Sequence, residues 1–87
     1  MPSSFVYILF SASLNRYYIG ITDEDVKVRL GKHLAQHRGF TGKAKDWIIK
    51  LVESYDSKEL AMKREKQLKS WKSSVRIREL IERSSTE

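Results

Sequence analysis

Near the start of the chain six apolar residues follow one another, Phe5-Val6-Tyr7-Ile8-Leu9-Phe10, without polar alternation. Such a run is the pattern of a strand covered on both faces, and it predicts a central strand. Ser11 to Asn15 is small and polar enough to turn, and Arg16-Tyr17-Tyr18-Ile19-Gly20-Ile21 returns as a second strand, so an antiparallel hairpin is expected. Further on, Trp47 to Tyr55 (WIIKLVESY) is rich in β-branched and aromatic residues and predicts a third strand.

Between and after these strands the apolar period changes to that of helices. Thr22 or Asp23 is placed to cap a helix that opens in an acidic turn (Asp23, Glu24, Asp25), with Val26, Leu30 and Leu34 recurring on its buried face. Arg38 to Lys45 (RGFTGKAK) has two glycines and three bases without periodicity and reads as a flexible basic loop suited to a phosphate backbone. Asp56, with Glu59 three residues on, has capping-box-like spacing for a helix running to about Ser70, whose apolar side is Leu60, Ala61, Leu68 and Trp71. Ser73-Ser74 break that helix and cap a last one with Ile77, Leu80 and Ile81 inward, followed by a polar tail. The class predicted is α+β, a three-stranded antiparallel sheet flanked by three or more helices, as a single domain over residues 1–87 with its core at about 4–82.

Composition narrows the functional classes. At 87 residues the chain suits one modest core, and with no cysteine neither a disulfide framework nor a thiolate zinc site can supplement it. The Phe5–Phe10 run is far short of the roughly 20 residues needed to span a bilayer, and no basic region precedes it, so no membrane association and a cytoplasmic location are expected. Seventeen Lys+Arg against eleven Asp+Glu leave a formal net charge of +6, which in so small a body attracts polyanions and makes nucleic acid the leading partner.

Two placements suggest chemistry. Arg29 and His33 are spaced i, i+4, so they share one side of the first helix at the border of the Val26–Leu30 stripe, where a guanidinium fork suits a phosphate. The plainer reading is a surface Arg and His without a role. Glu65 is the lone acid among the five bases of Lys63–Lys72, at the margin of its helix's apolar face, where a carboxylate can ligate a hard cation such as Mg²⁺. It is also spaced for an ordinary ion pair with Lys69 at i+4. Walker loops, His/Cys zinc spacing and serine elbows are absent.

In order along the chain, Phe5-Val6-Tyr7, Tyr18-Ile19-Gly20, Arg29-x-x-x-His33 and Glu65 within Arg64-Glu65-Lys66-Gln67 resemble the GIY-YIG nuclease superfamily. In particular they resemble its small stand-alone branch, similar to the N-terminal nuclease domain of the bacterial excision-repair incision enzyme. The likeness spans roughly residues 4–82 and departs from the family at three points. Phe5 stands where the first motif has glycine, Ile21 where some relatives have lysine, and no asparagine follows Glu65.

The resemblance implies an endonuclease that hydrolyses DNA phosphodiesters with Mg²⁺ or Mn²⁺, in DNA repair or recombination. It also assigns roles. Tyr18, or Tyr7 beside it, would help deprotonate or position the attacking water, Arg29 would bind the scissile phosphate, and Glu65 would hold the metal. Tyrosine, with a pKa of about 10, needs neighbouring positive charge to act as a base, whereas His33, at about 6.5, is the easier one, so the choice stays open. Lys32, Arg38, Lys43, Lys45, Lys69 and Lys72 are the expected nucleic-acid contacts. Nothing reads as a base-recognition helix, so specificity would need DNA shape, a homodimer or a partner chain. Two other classes compete: a non-catalytic nucleic-acid-binding module of the same fold, and a basic RNA- or ribosome-associated protein.

Overall fold

The computed structural model describes residues 3–35 and 41–84 of the chain. Its strands are β1 (Ser4–Ser11), β2 (Arg16–Thr22) and β3 (Ile48–Tyr55), and its helices α1 (Val26–Ala35), α2 (Lys58–Trp71) and α3 (Ser74–Ser84), with a single 3₁₀ turn at Thr41–Lys43. The strands form one antiparallel sheet in the order β2-β1-β3. This is the α+β fold expected, with the apolar run at its centre.

Alternation along β1 sends neighbouring side chains to opposite faces, and both faces are covered. Val6 and Ile8 point to one face, where Ala61 and Leu68 of α2 and Ile77 of α3 complete a buried cluster with Ile19, Ile21 and Leu51 against it. Tyr7 and Leu9 point to the other, where they meet Val26 of α1 together with Ala44 and Trp47, and Leu30 and Leu34 close the edge. The sheet thus separates two small cores, one under α2 and α3 and one under α1. No helix among the described residues is long and apolar enough to cross a membrane.

The hairpin turn is fixed by a carboxylate far away in sequence. Asp46 accepts from the Ser11 hydroxyl at 2.5 Å, the Ser13 amide at 2.8 Å and the Ser13 hydroxyl at 3.0 Å. These bonds hold its carboxyl below the usual aspartate range. Asn15 takes the left-handed conformation that closes the turn (φ 52°), which asparagine tolerates better than most residues.

Four local expectations change. Helix α1 starts after its acidic cluster: Asp25 accepts from the Lys27 amide at 2.7 Å as the cap, while the Thr22 hydroxyl closes a turn onto Glu24. Ser57, not Asp56, caps α2 by accepting from the Leu60 amide, and the Asp56 carbonyl instead accepts from the Ser3 hydroxyl at 2.7 Å. Leu60 is half exposed because Ala61 and Leu68 set the inward face of α2 and Leu60 stands about 100° away from it. Trp47 is a buried residue ahead of β3 rather than its first member. The basic loop is described only from residue 41 on, where it closes the 3₁₀ turn above buried Ala44.

Candidate active site

Antiparallel register sets Tyr7 opposite Gly20 and Leu9 opposite Tyr18. Partners directly across a ladder share a face, so both tyrosines stand on the α1 side of the sheet. The ring of Tyr7 lies flat over Gly20: a Cβ there would fall on the Tyr7 hydroxyl, within 2.5 Å of its Cζ and 3.0 Å of Tyr18 Cε1. Glycine is therefore required by the close approach of a side chain to the strand backbone. The rings of Tyr7 and Tyr18 are 6.3 Å apart.

Helix α1 brings Arg29 and His33 to this pair. His33 is buried, its ring 5.0 Å from that of Tyr18 and 5.9 Å from that of Tyr7, and its Nε2 lies 2.8 Å from the Tyr7 hydroxyl. Burial, with the Arg29 charge adding to it, holds the imidazole below its ordinary pKa and therefore neutral at pH 7. In the tautomer that carries its proton on Nδ1, the neutral Nε2 accepts from the Tyr7 O–H. Burial also raises the Tyr7 pKa; Arg29 opposes that shift, while Tyr18 and Glu65 add to it. Arg29 is held further above its usual value by hydrogen bonding with Tyr7. Its Nε is nonetheless buried with no acceptor among the described residues.

Glu65 is not brought into contact with these four: it lies on α2, which packs across β1 and β2 on the sheet face opposite α1. Its carboxylate is close enough to Tyr7 to oppose ionisation of the phenol, and it also pairs with Lys69 at 3.3 Å. The described residues hold no group of three or more His, Cys, Asp or Glu that would cage a metal. One half-buried carboxylate does suit Mg²⁺ or Mn²⁺, since Mg²⁺ keeps most of its waters and takes one or two protein carboxylates.

Most of the expected nucleic-acid contacts have local partners. Lys32 pairs with Glu24 at 2.9 Å, the Lys45 ammonium donates to the Leu34 carbonyl at 2.7 Å and so caps the end of α1, and Lys69 holds Glu65. Lys43 is exposed on the 3₁₀ turn, Lys72 is exposed at the end of α2, and Arg38 lies outside the described residues. Two cations absent from that set also line clefts. Lys58 lines a notch of about 190 Å³ with Ser4, Thr22, Glu24 and Arg29, and Arg16 lines a larger cleft beside Lys69 and Lys72. Lys58 had a signal in the sequence: a base in the first turn of a helix opposes the macrodipole, a local cost that marks a residue placed for another reason.

Two tyrosines, an arginine and a histidine thus gather on the α1 face of a three-stranded antiparallel sheet, with Arg29 also lining the notch. The family model of the GIY-YIG catalytic domain matches residues 3–78, and the chain belongs to that family, with the fold of its nucleases. Nucleases of this family use divalent metal ions. No curated protein and no solved structure matches the chain.

Proposed function

We propose that the chain is a Mg²⁺- or Mn²⁺-dependent endonuclease that hydrolyses DNA phosphodiesters, in repair or recombination, with Tyr7, Tyr18, Arg29, His33 and Glu65 as its working residues. The observation that carries this reading is the buried, acceptor-less Nε of Arg29 beside the Tyr7–His33 hydrogen bond. A buried donor without an acceptor is costly, and a phosphate oxygen is the acceptor a guanidinium fits best.

From these residues a proton path follows. Tyr7 and His33 are both buried and joined by a hydrogen bond, so a proton taken up by the tyrosine hydroxyl can pass to the imidazole. Tyr7 is not ionised near neutrality, because burial raises its pKa, but it takes a proton from the attacking water while passing its own to neutral His33. The water oxygen bonds to phosphorus, the P–O3′ bond breaks, and Arg29 steadies the charge gathering on the non-bridging oxygens. Glu65 would hold the divalent ion, which when bound supplies positive charge to the departing oxygen. Tyr18 packs its ring edge against His33 and keeps the imidazole aligned.

The competing reading is a non-catalytic nucleic-acid-binding module, and the Glu65–Lys69 pair favours it, since a glutamate tied to its own helix needs no metal. Incubation of supercoiled plasmid with wild type and Glu65→Ala, in Mg²⁺ or EDTA, separates the two. Nicking that requires both Mg²⁺ and Glu65, with DNA binding kept in the variant, supports the nuclease. Wild-type protein that binds supercoiled, branched and damaged DNA but nicks none of them is a binding module.

A further inference from the structure

A cleft lies away from Tyr7 and Tyr18, between the β1–β2 turn and the junction of α2 with α3. It measures about 590 Å³ and is lined by Arg16 and Tyr17 on one side and by Lys69, Lys72 and Ser73 on the other, with Leu68 in its floor. Three of its lining residues are cations and none is an acid. Ser73 caps α3 by accepting from the Arg76 amide, so the positive end of that helix dipole opens onto the same space.

Helix α2 runs from Glu65 to this cleft, which Lys69 and Lys72 line. Glu65 and Lys69, spaced i, i+4, share a side of α2, and Lys72 follows as its C-cap, the lysines about 6 and 10 Å further along the axis. A backbone leaving the scissile position at Glu65 therefore passes Lys69 and enters the cleft at Lys72. The volume lies in the range of small-ligand pockets, roughly 300–1,000 Å³, which suits nucleotides rather than a duplex. A basic cleft with an aromatic wall is the chemistry that holds unpaired strands, phosphates on cations and bases on rings.

We propose that the cleft between the β1–β2 turn and the α2–α3 junction holds an unpaired stretch of the substrate strand, with Arg16, Lys69 and Lys72 on its phosphates and Tyr17 against a base. The proposal rests on the chain acting on nucleic acid, and it makes the preferred substrate a duplex with an adjoining single-stranded arm.

Binding in EDTA, with no turnover, tests it. Fluorescein-labelled blunt duplex, the same duplex with an unpaired thymidine tail, and a tail of abasic sites are titrated with wild type and with the double variant Arg16→Gln/Lys72→Gly. Both positions are exposed, and glycine accepts the left-handed backbone of Lys72 (φ 51°), so the variant keeps its melting temperature. Wild type should bind the tailed duplex several-fold more tightly than the blunt one. The double variant should lose that preference, and its log–log salt slope on the tail should drop by about 0.7 for each cation removed. The abasic tail should bind wild type about five-fold or more weakly than the thymidine tail, from the lost stacking. Equal wild-type affinity for tailed and blunt duplexes, or a preference that survives in the double variant, overturns the proposal. Plasmid nicking without tail preference refutes this inference and leaves the nuclease standing; tail preference without nicking on any substrate does the reverse.

Discussion

Replacing Gly20 by alanine tests the geometry of the site with a single methyl. The added Cβ would sit within 2.5 Å of Tyr7 Cζ, where ordinary contact begins at 3.4 Å, so the ring must retreat by about 0.9 Å or the strand must bend. Tyr7 is almost fully buried against Leu9 and Val26 and has little room to retreat. Overpacking of this kind costs about 1–3 kcal/mol, which for a chain of this size lowers Tm by about 4 °C or more. The same retreat stretches the 2.8 Å bond from the Tyr7 hydroxyl to His33. A displacement near 1 Å costs roughly 100-fold in a positioned reaction, so plasmid nicking should fall by about that factor. Gly31→Ala is the matched control, because nothing lies within 4 Å of a Cβ there and the residue is exposed in α1. It should stabilise by about 0.5–1 kcal/mol through helix propensity alone. Thermal melts and nicking rates of the two variants side by side give the answer. A Gly20→Ala protein that melts with wild type and nicks at the wild-type rate would show that the Tyr7 ring does not rest on the strand as described.

Three further outcomes follow from single bonds. Ser57→Ala should lower stability by about 1 kcal/mol, read as a Tm loss of about 4–8 °C, whereas Asp56→Ala should have little effect because its carbonyl, not its side chain, is used; equal losses would reinstate Asp56 as the cap. Native His33 resists protonation, while in the unfolded chain it takes a proton near pH 6.5. The unfolded state thus binds more protons below that pH, so stability falls on acidification from about 6.5 toward the lower native pKa. Urea midpoints between pH 7.5 and pH 5, as rough bounds of that window, should fall less in His33→Gln than in wild type, and parallel curves would exclude a neutral buried imidazole. Arg29→Ala should raise the barrier to nicking by about 3 kcal/mol, by analogy with a lost oxyanion donor. Unchanged single-turnover nicking would remove Arg29 from the phosphate.

What the sequence discloses depends on how local each determinant is. The central place of β1 is written in the Phe5–Phe10 run, because only a strand buried on both faces tolerates six apolar residues in succession. The pairing of Tyr7 with Gly20 is not local, yet a short hairpin makes it nearly so, and the glycine then explains itself through the ring above it. Ser57 and Asp56 are adjacent, and both are good caps, so only the tertiary bond that Ser3 makes to the Asp56 carbonyl decides between them. The partners of Lys32 and Lys45 are likewise invisible in a count of bases, since Lys45 meets Leu34 only once the chain after α1 has folded back. Arg16 looked like an ordinary hairpin residue until the α2–α3 junction supplied the other wall of its cleft.

The two cores also divide the site's chemistry. Tyr7, Tyr18, Arg29 and His33 belong to the α1 side of the sheet, where register and one helix fix them together. Glu65 belongs to α2, whose seat is made by Ala61 and Leu68 in the other cluster. The sheet between them is the common frame, so the proton path can persist when the carboxylate is lost, and the metal ligand can persist when the path is cut. An enzyme organised in this way should respond to the two kinds of damage differently. Glu65→Ala should abolish Mg²⁺-supported nicking while leaving the His33 acid limb of the stability curve in place, because the imidazole's burial is set by α1 and not by α2. His33→Gln should flatten that limb and leave Mg²⁺ as a requirement for whatever nicking remains. Loss of both features from either single change would mean that the halves are not independent and that Glu65 reaches Tyr7 through more than its charge.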